Sequence, residues 1–123
     1  MRPAILSDLT RDQLVERFVE ITLAQNEALL DDDLSKFRKL FDQMRAVLEE
    51  LKSRPGDQRT ALLPLYEHPN FQVRLKAAKN TLALAPAKAR KVIQAIANSR
   101  HYPQAGEAGM CLWNLERGVF KPT

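Results

Sequence analysis

The feature that most constrains the fold is a run of apolar residues at helical spacing between residues 34 and 51. Intervals of three and four residues place such side chains along one stripe of an α-helix. The stripe consists of Leu34, Phe37, Leu40, Phe41, Met44, Val47, Leu48 and Leu51. Asp33 lies just before it as a helix cap, and Pro55 with Gly56 ends it. The segment therefore predicts one long amphipathic helix.

Similar signals predict a helix on each side of this one. Thr10 followed by Gln13 is a capping-box pattern, and the residues behind it predict a helix from about Thr10 to Leu30. A third, shorter helix is predicted after Asp57, which we expect to cap it. Pro64 lies inside this helix and should kink it, because proline lacks a backbone donor and clashes with the preceding turn.

Three more helices are predicted in the second half of the chain. Asn70 is the natural cap of a helix through the segment "FQVRLKAAKNTLAL". Pro86 begins the next helix, at a position where proline is tolerated. The last helix runs from about Pro103 to Arg117 and ends at Gly118. With short connections and no strand signal, the chain is predicted to be all-α with about six helices.

Composition agrees with this fold, and the cysteine content suits a reducing compartment. Only 4 glycines occur, and runs of β-branched residues are missing. Cys111 is the single cysteine, so an internal disulfide and a thiolate metal cluster are both excluded. The start "MRPAILSDLT" lacks the apolar run of a signal peptide, and we expect no membrane-spanning segment. These features predict a cytoplasmic protein with no membrane association.

Charge is distributed unevenly along the sequence. Residues 1–51 contain 7 Lys or Arg against 11 Asp or Glu, a net charge of −4. Residues 52–100 contain 10 against 2, a net charge of +8. An acidic first half and a basic middle are able to attract a partner or each other.

The segment "PNFQVRLKAAKNTLAL", with "TALLPLYEH" before it, resembles a HEAT or armadillo-type repeat. The matching positions are Pro64, Val73, Arg74, Ala77, Ala78 and Leu82. The resemblance implies a short right-handed solenoid of stacked antiparallel helix pairs within a single domain, residues 1–123. Residues 10–53 would form a long capping pair, 57–85 the best repeat unit and 86–118 a degenerate one.

The segments "VRLKAAKN" and "AGEAGMCLWNLERG" resemble a small bacterial family of domains of unknown function with HEAT-like helices. Some similar small helical proteins are encoded beside toxin genes as immunity proteins. The resemblance implies a fold and no reaction, and it leaves toxin binding as one hypothesis.

A helical wheel gives Arg74 and its neighbouring lysines different environments. At about 100° per residue, Lys76 and Lys79 lie on the polar side of their helix, which we expect to be solvated. Arg74 lies within the apolar arc and is expected to be structural, because burying a lone charge is costly. Asp57 and Glu67 are its predicted carboxylate partners.

The residues whose side chains could act in catalysis or metal binding fit structural roles better. His68 and His101 each precede a turn, and neither has the nucleophile or metal ligands that a site needs. The run Asp31, Asp32, Asp33 lacks calcium-loop spacing and suits helix capping. Cys111 is expected to be a small buried apolar residue. We therefore predict no enzyme activity, metal or cofactor.

Binding remains the best-supported class of function. The hypothesis is a protein-protein interaction module, with a homodimer as a further possibility. Its candidate partner-binding residues are Lys76, Lys79, Lys88, Lys91 and Trp113. Trp113 is either an exposed anchor or a core residue. The alternative is nucleic-acid binding, in which a basic stripe along residues 74–100 contacts phosphates.

Overall fold

The computed structural model describes residues 5–123, which form five α-helices and two 3₁₀ helices. The elements are the 3₁₀ helix Leu6–Asp8, α1 (Arg11–Leu30), α2 (Leu34–Ser53), the 3₁₀ helix Gln58–Glu67, α3 (Phe71–Lys79), α4 (Pro86–Asn98) and α5 (Gln104–Glu116). Residues 5–123 contain no strand. The all-α prediction with six main helical segments is confirmed. The described residues divide into two compact units, one up to Ala61 and one from Leu62 onward.

In the first unit, α1 and α2 pack against each other as a helix pair. The predicted capping box is present. The Gln13 backbone nitrogen donates to Thr10 Oγ1 at 3.1 Å, and the Thr10 backbone nitrogen donates to Gln13 Oε1 at 2.8 Å. Asp33 caps α2 as predicted, because its Oδ1 accepts a hydrogen bond from the Lys36 backbone nitrogen at 3.1 Å. Buried apolar side chains of the pair are Leu14, Phe18, Ile21, Ala28, Met44, Val47, Leu48 and Leu51. Both caps and the buried stripe of α2 thus follow from local sequence.

Arg54 joins the end of α2 to the chain that precedes α1. Its Nη2 donates to the carbonyl oxygens of Leu6 and Leu9 at 3.2 and 2.6 Å, while its Nε contacts Glu50 at 2.9 Å. These bonds satisfy carbonyl groups of the 3₁₀ turn Leu6–Asp8 and the residue that follows it.

The helix predicted around Pro64 is present, but the segment Gln58–Glu67 winds as a 3₁₀ helix and not as a kinked α-helix. Proline cannot donate the bond to the fourth preceding carbonyl, and its ring would clash with that carbonyl in an α-helix. Ten residues is long for this tighter helix type. Pro64 itself is exposed.

In the second unit, α4 pairs with α5, and α3 packs against both. The buried side chains of this core are Leu75, Ala78, Leu82, Ala89, Ile93, Ile96, Ala108 and Cys111. Asn70 caps α3 as predicted, since its Oδ1 accepts from the nitrogens of Gln72 and Val73. Pro86 begins α4 as predicted. Gly118, at φ +71°, follows the last turn of α5 as expected.

Helix α3 ends at Lys79, five residues before the end of the predicted segment. The Asn80 side chain donates to the Lys76 carbonyl at 2.8 Å, and Thr81 Oγ1 donates to the Ala77 carbonyl at 2.7 Å. Side-chain bonds of this kind compete with the backbone ladder and favour a turn. The predicted pairs α1 with α2 and α4 with α5 are present, whereas α3 is shorter than expected. No helix within residues 5–123 is long and apolar enough to cross a membrane.

Candidate functional site

The contact between α3 and α5 holds a buried ionic cluster of Lys76, Lys79 and Glu107. Lys76 Nζ donates to Glu107 Oε2 at 2.6 Å, and Lys79 Nζ donates to the same oxygen at 3.1 Å. Only 5% of Lys76 is exposed. Two ammonium groups therefore share one carboxylate oxygen in a largely desolvated place.

This cluster corrects the prediction that Lys76 and Lys79 lie on a solvated face. The helical wheel identified the polar side of α3 but not the element that covers it. Helix α5 packs there and contributes Glu107, so Lys76 is buried and Lys79 is half-buried. Glu107 is the only acidic residue between Glu67 and Glu116. That isolation within a basic stretch is the signal that sequence reasoning missed.

Burial and charge act on the cluster in different ways. Burial lowers the pKa of Lys76 below its usual value, and the attraction of Glu107 opposes this only in part. Burial alone would raise the pKa of Glu107, but Lys76 and Lys79 together lower it. One carboxylate facing two cations is thus held firmly ionised, whereas each lysine has only a share of one anion.

A hydrogen-bonded pair of glutamines extends this contact between α3 and α5. Gln104 Nε2 donates to Gln72 Oε1 at 2.9 Å, and both side chains are buried. Sequence reasoning did not find this pair. Both residues lie at the first turns of their helices, about one predicted repeat apart, which is the pattern that points to their contact.

Arg74 does not use either predicted carboxylate partner. Its guanidinium carbon lies 4.3 Å from the centre of the Phe71 ring. The His101 ring stacks on the same Phe71 ring at 4.2 Å between centroids and 9° between planes. Arg74 is half-buried rather than fully interior, so a cation-π contact with a residue three positions earlier accommodates its charge.

Asp57 binds Arg59 instead of Arg74. Asp57 Oδ1 accepts from Arg59 Nε at 2.8 Å, and Asp57 Oδ2 accepts from Arg59 Nη2 at 2.7 Å. Hydrogen bonding from Arg59 lowers the pKa of Asp57 below its usual value. Asp57 has φ +52°, a left-handed conformation that Asp and Asn tolerate better than most residues. Asp57 is therefore bonded to Arg59 and not to Arg74, its predicted partner.

We expect Asp57→Ala to destabilise the protein by about 2–3 kcal/mol, because it removes charge-assisted bonds to a buried arginine and strains the backbone. Urea denaturation measures this loss. Asp57→Asn is the matched control, because it keeps the left-handed conformation and one acceptor, and it should lose less. A loss below about 0.5 kcal/mol for Asp57→Ala would contradict the structural role.

The remaining predicted binding residues are exposed. Lys88 and Lys91 lie on α4 together with Arg90, and the ion pairs within residues 5–123 do not include them. Structure therefore separates the five candidates into two buried or half-buried lysines near Glu107, two exposed lysines on α4, and Trp113 on α5.

Trp113 is on the exposed side of α5 and not in the core. It is 58% exposed, and so is Met110, while Tyr102 just before the helix is 70% exposed. The core side of α5 is formed by Ala105, Ala108 and Cys111. The expectation of a buried Cys111 is confirmed, and burial raises the pKa of its thiol.

The exposed residues of α5 form one continuous surface, which we call the α5 face. It consists of Tyr102, Gly106, Gly109, Met110, Trp113 and Arg117, and the acidic Glu116 is exposed next to Arg117. The Arg117 guanidinium lies 5.6 Å from the Trp113 ring. A Cβ built on Gly109 would meet nothing within 4 Å, and one on Gly106 would meet only the Tyr102 ring. The face therefore combines large apolar side chains with accessible helix backbone.

The histidines and the aspartate run take part in turns and caps. His68 Nδ1 accepts from the Asn70 nitrogen at 3.0 Å, and the His101 ring stacks as described. Asp33 is the cap of α2. Among residues 5–123, no group of three His, Cys, Asp or Glu side chains is placed to hold a metal ion.

A protein family and a solved structure each match this chain over most of its length. The family described as "Domain of unknown function (DUF2019)" matches residues 12–116. The crystal structure of the protein RPA1889 from Rhodopseudomonas palustris CGA009 covers 98% of this chain and 100% of its own, with 52% identity and a TM-score of 0.94. No curated protein matches the chain.

Proposed function

This chain belongs to the DUF2019 family, and from the exposure of its aromatic residues we propose that it is a non-enzymatic protein-binding module. The observation that carries the proposal is Trp113, which is 58% exposed on the α5 face. Exposed apolar surface of this kind marks interaction sites on soluble proteins, and tryptophan is enriched among the residues that dominate binding energy.

The rest of the α5 face suits the same role. Met110 adds a flexible apolar side chain that adapts to a partner surface. Arg117 lies against Trp113 and supplies a polar rim. The HEAT-like arrangement of residues 57–118 is part of this proposal, with α5 as the helix that presents the binding surface.

The buried ionic cluster makes protein binding a better proposal than nucleic-acid binding. Lys76 and Lys79 were two of the main charges of the basic stripe, and both now contact Glu107. Their charge is compensated inside the protein and contributes little to an external phosphate site. We therefore take α5, which carries Trp113, as the candidate binding surface in preference to α3.

Nucleic-acid binding stays as a second candidate because Lys88, Arg90 and Lys91 are exposed on one helix. These three cations are close enough in sequence to follow a phosphate backbone. Such binding would weaken steeply with salt, by nearly one logarithmic unit per unit of log salt for each phosphate neutralised.

Capture from a native lysate with three baits distinguishes the two functions. The baits are the wild-type protein, Trp113→Ala, and the double variant Lys88→Glu with Lys91→Glu. For the proposed function we expect one discrete protein that survives nuclease and moderate salt, is lost with Trp113→Ala and is retained by the lysine variant. Capture that disappears with nuclease and with the lysine variant would instead support nucleic-acid binding.

A further inference from the structure

We propose that the α5 face binds a second copy of this chain, as an antiparallel pair of α5 helices about a two-fold axis near Gly109. This inference rests on the proposed function, because it names the occupant of the same surface. Two-fold interfaces require a patch that is complementary to itself, in which residue i meets residue j and j meets i. The α5 face satisfies this condition along its length.

Helix geometry places the complementary residues correctly. Gly106 and Trp113 are seven residues apart, so they lie nearly above one another on the same side of α5, about 10.5 Å apart along the axis. Midway between them lie Gly109 and Met110. When two such helices pack antiparallel about this midpoint, Trp113 of each copy lies opposite Gly106 of the other.

The two residues also match in size. Gly106 lacks a side chain, and the nearest atom to a built Cβ is Tyr102 Cδ1 at 3.7 Å. The exposed Tyr102 ring therefore forms one wall of a shallow depression over Gly106. An indole ring from the second copy fits there against both the backbone and the aromatic wall. At the axis, Gly109 lets the two helices approach closely, as small residues do at helix contacts.

Charge favours the antiparallel arrangement over a parallel one. The two-fold axis brings Arg117 of one copy to Tyr102 of the other, where a guanidinium and an aromatic ring attract each other. The two Arg117 groups are then about 22 Å apart along the helices, beyond the screening length in physiological salt. In a parallel pair, Arg117 would meet Arg117 and Trp113 would meet Trp113, which leaves both Gly106 depressions unfilled.

The size of the face predicts a weak dimer. Exposed portions of Tyr102, Met110 and Trp113 amount to an apolar patch of a few hundred Å² on each copy. Two such patches bury less than the roughly 1,200 Å² at the lower end of stable interfaces. We therefore expect a dissociation constant in the range of about 10–100 µM.

Sedimentation equilibrium of the purified full-length chain from 1 µM to 1 mM tests the proposal. We expect wild-type dimers and an at least tenfold weaker dimer for Gly106→Leu, which fills the depression. A Cβ at position 106 meets no atom closer than 3.7 Å, and the change replaces a helical glycine, so we expect the fold to be retained. The matched control is Ala95→Leu, which adds bulk at an exposed position of α4 and should leave dimerisation unchanged.

Oxidative crosslinking locates the axis independently. Gly109→Cys should form an intermolecular disulfide under mild oxidant, because the two copies of position 109 lie next to each other on either side of the axis, whereas Ala95→Cys should not. A wild-type protein that stays monomeric at 1 mM, or equal crosslinking at both positions, would overturn the proposal. These results would leave the proposed function standing, since that function is tested separately, by whether Trp113→Ala loses the captured protein and whether capture survives nuclease.

Discussion

Glu107→Ala is expected to destabilise this protein by about 3 kcal/mol, the largest loss that we predict for a single charged residue. The substitution leaves Lys76 buried at 5% exposure without its carboxylate, and it removes the anion shared by Lys79. The estimate lies at the low end of the effect for buried pairs because the Glu107 side chain is 33% exposed and water screens part of the interaction. Urea denaturation at pH 7 measures the loss.

Glu116→Ala is the matched control, because it makes the same substitution at an exposed position of the same helix. It should change stability by no more than about 0.5 kcal/mol. A second variant, Lys76→Met in the Glu107→Ala background, removes the buried cation and should restore much of the loss. Equal stability of Glu107→Ala and Glu116→Ala would show that the cluster does not stabilise the fold.

The same cluster predicts an acid dependence with a defined sign. Lys76 and Lys79 lower the folded-state pKa of Glu107 below its usual value of 4.5. A carboxyl group with a lowered folded pKa stabilises the protein above its unfolded pKa and loses that effect as pH falls through the folded value. The stability difference between wild type and Glu107→Ala should therefore be constant near neutral pH and shrink below about pH 4.5.

Local features of the sequence predicted the helices well, because the interactions that begin each helix lie within one turn of the chain. The caps at Thr10, Asp33 and Asn70 depend on bonds to residues two or three positions ahead. Such signals are complete in a short window of sequence. The end of α3 was missed although its cause is also local, because Asn80 and Thr81 looked like ordinary members of a helical pattern.

Features of the site depended on contacts between helices, and these were harder to predict. Lys76 and Glu107 are 31 positions apart, and no periodicity within α3 indicates that α5 covers its polar side. The apolar residues of α5 itself are spread over most sides of the helix. Their spacing alone therefore does not decide whether Trp113 or Cys111 faces the core. The small residues Ala105 and Ala108 decide it, because they allow close packing on that side.

The second prediction with a large effect is that Trp113→Ala weakens partner binding by at least about 30-fold while the fold stays intact. Truncation of a central interface tryptophan typically costs about 2 kcal/mol or more of binding free energy, which corresponds to that ratio. Within the chain, Trp113 is mostly exposed and contacts Arg117, so its loss should change stability by less than about 1 kcal/mol. Titration of the captured protein with each bait measures binding, and urea denaturation measures stability.

Trp113→Phe separates the role of the aromatic ring from that of side-chain size. It keeps an aromatic surface of smaller area on the same side of α5, so it should bind more tightly than the alanine variant and less tightly than wild type. Unchanged binding by Trp113→Ala would remove the α5 face from the interaction. A combined loss of binding and of several kcal/mol of stability would instead show that Trp113 supports the fold. Weakened binding with unchanged stability is the outcome that only an exposed binding residue produces, because the free chain does not depend on a side chain that faces solvent.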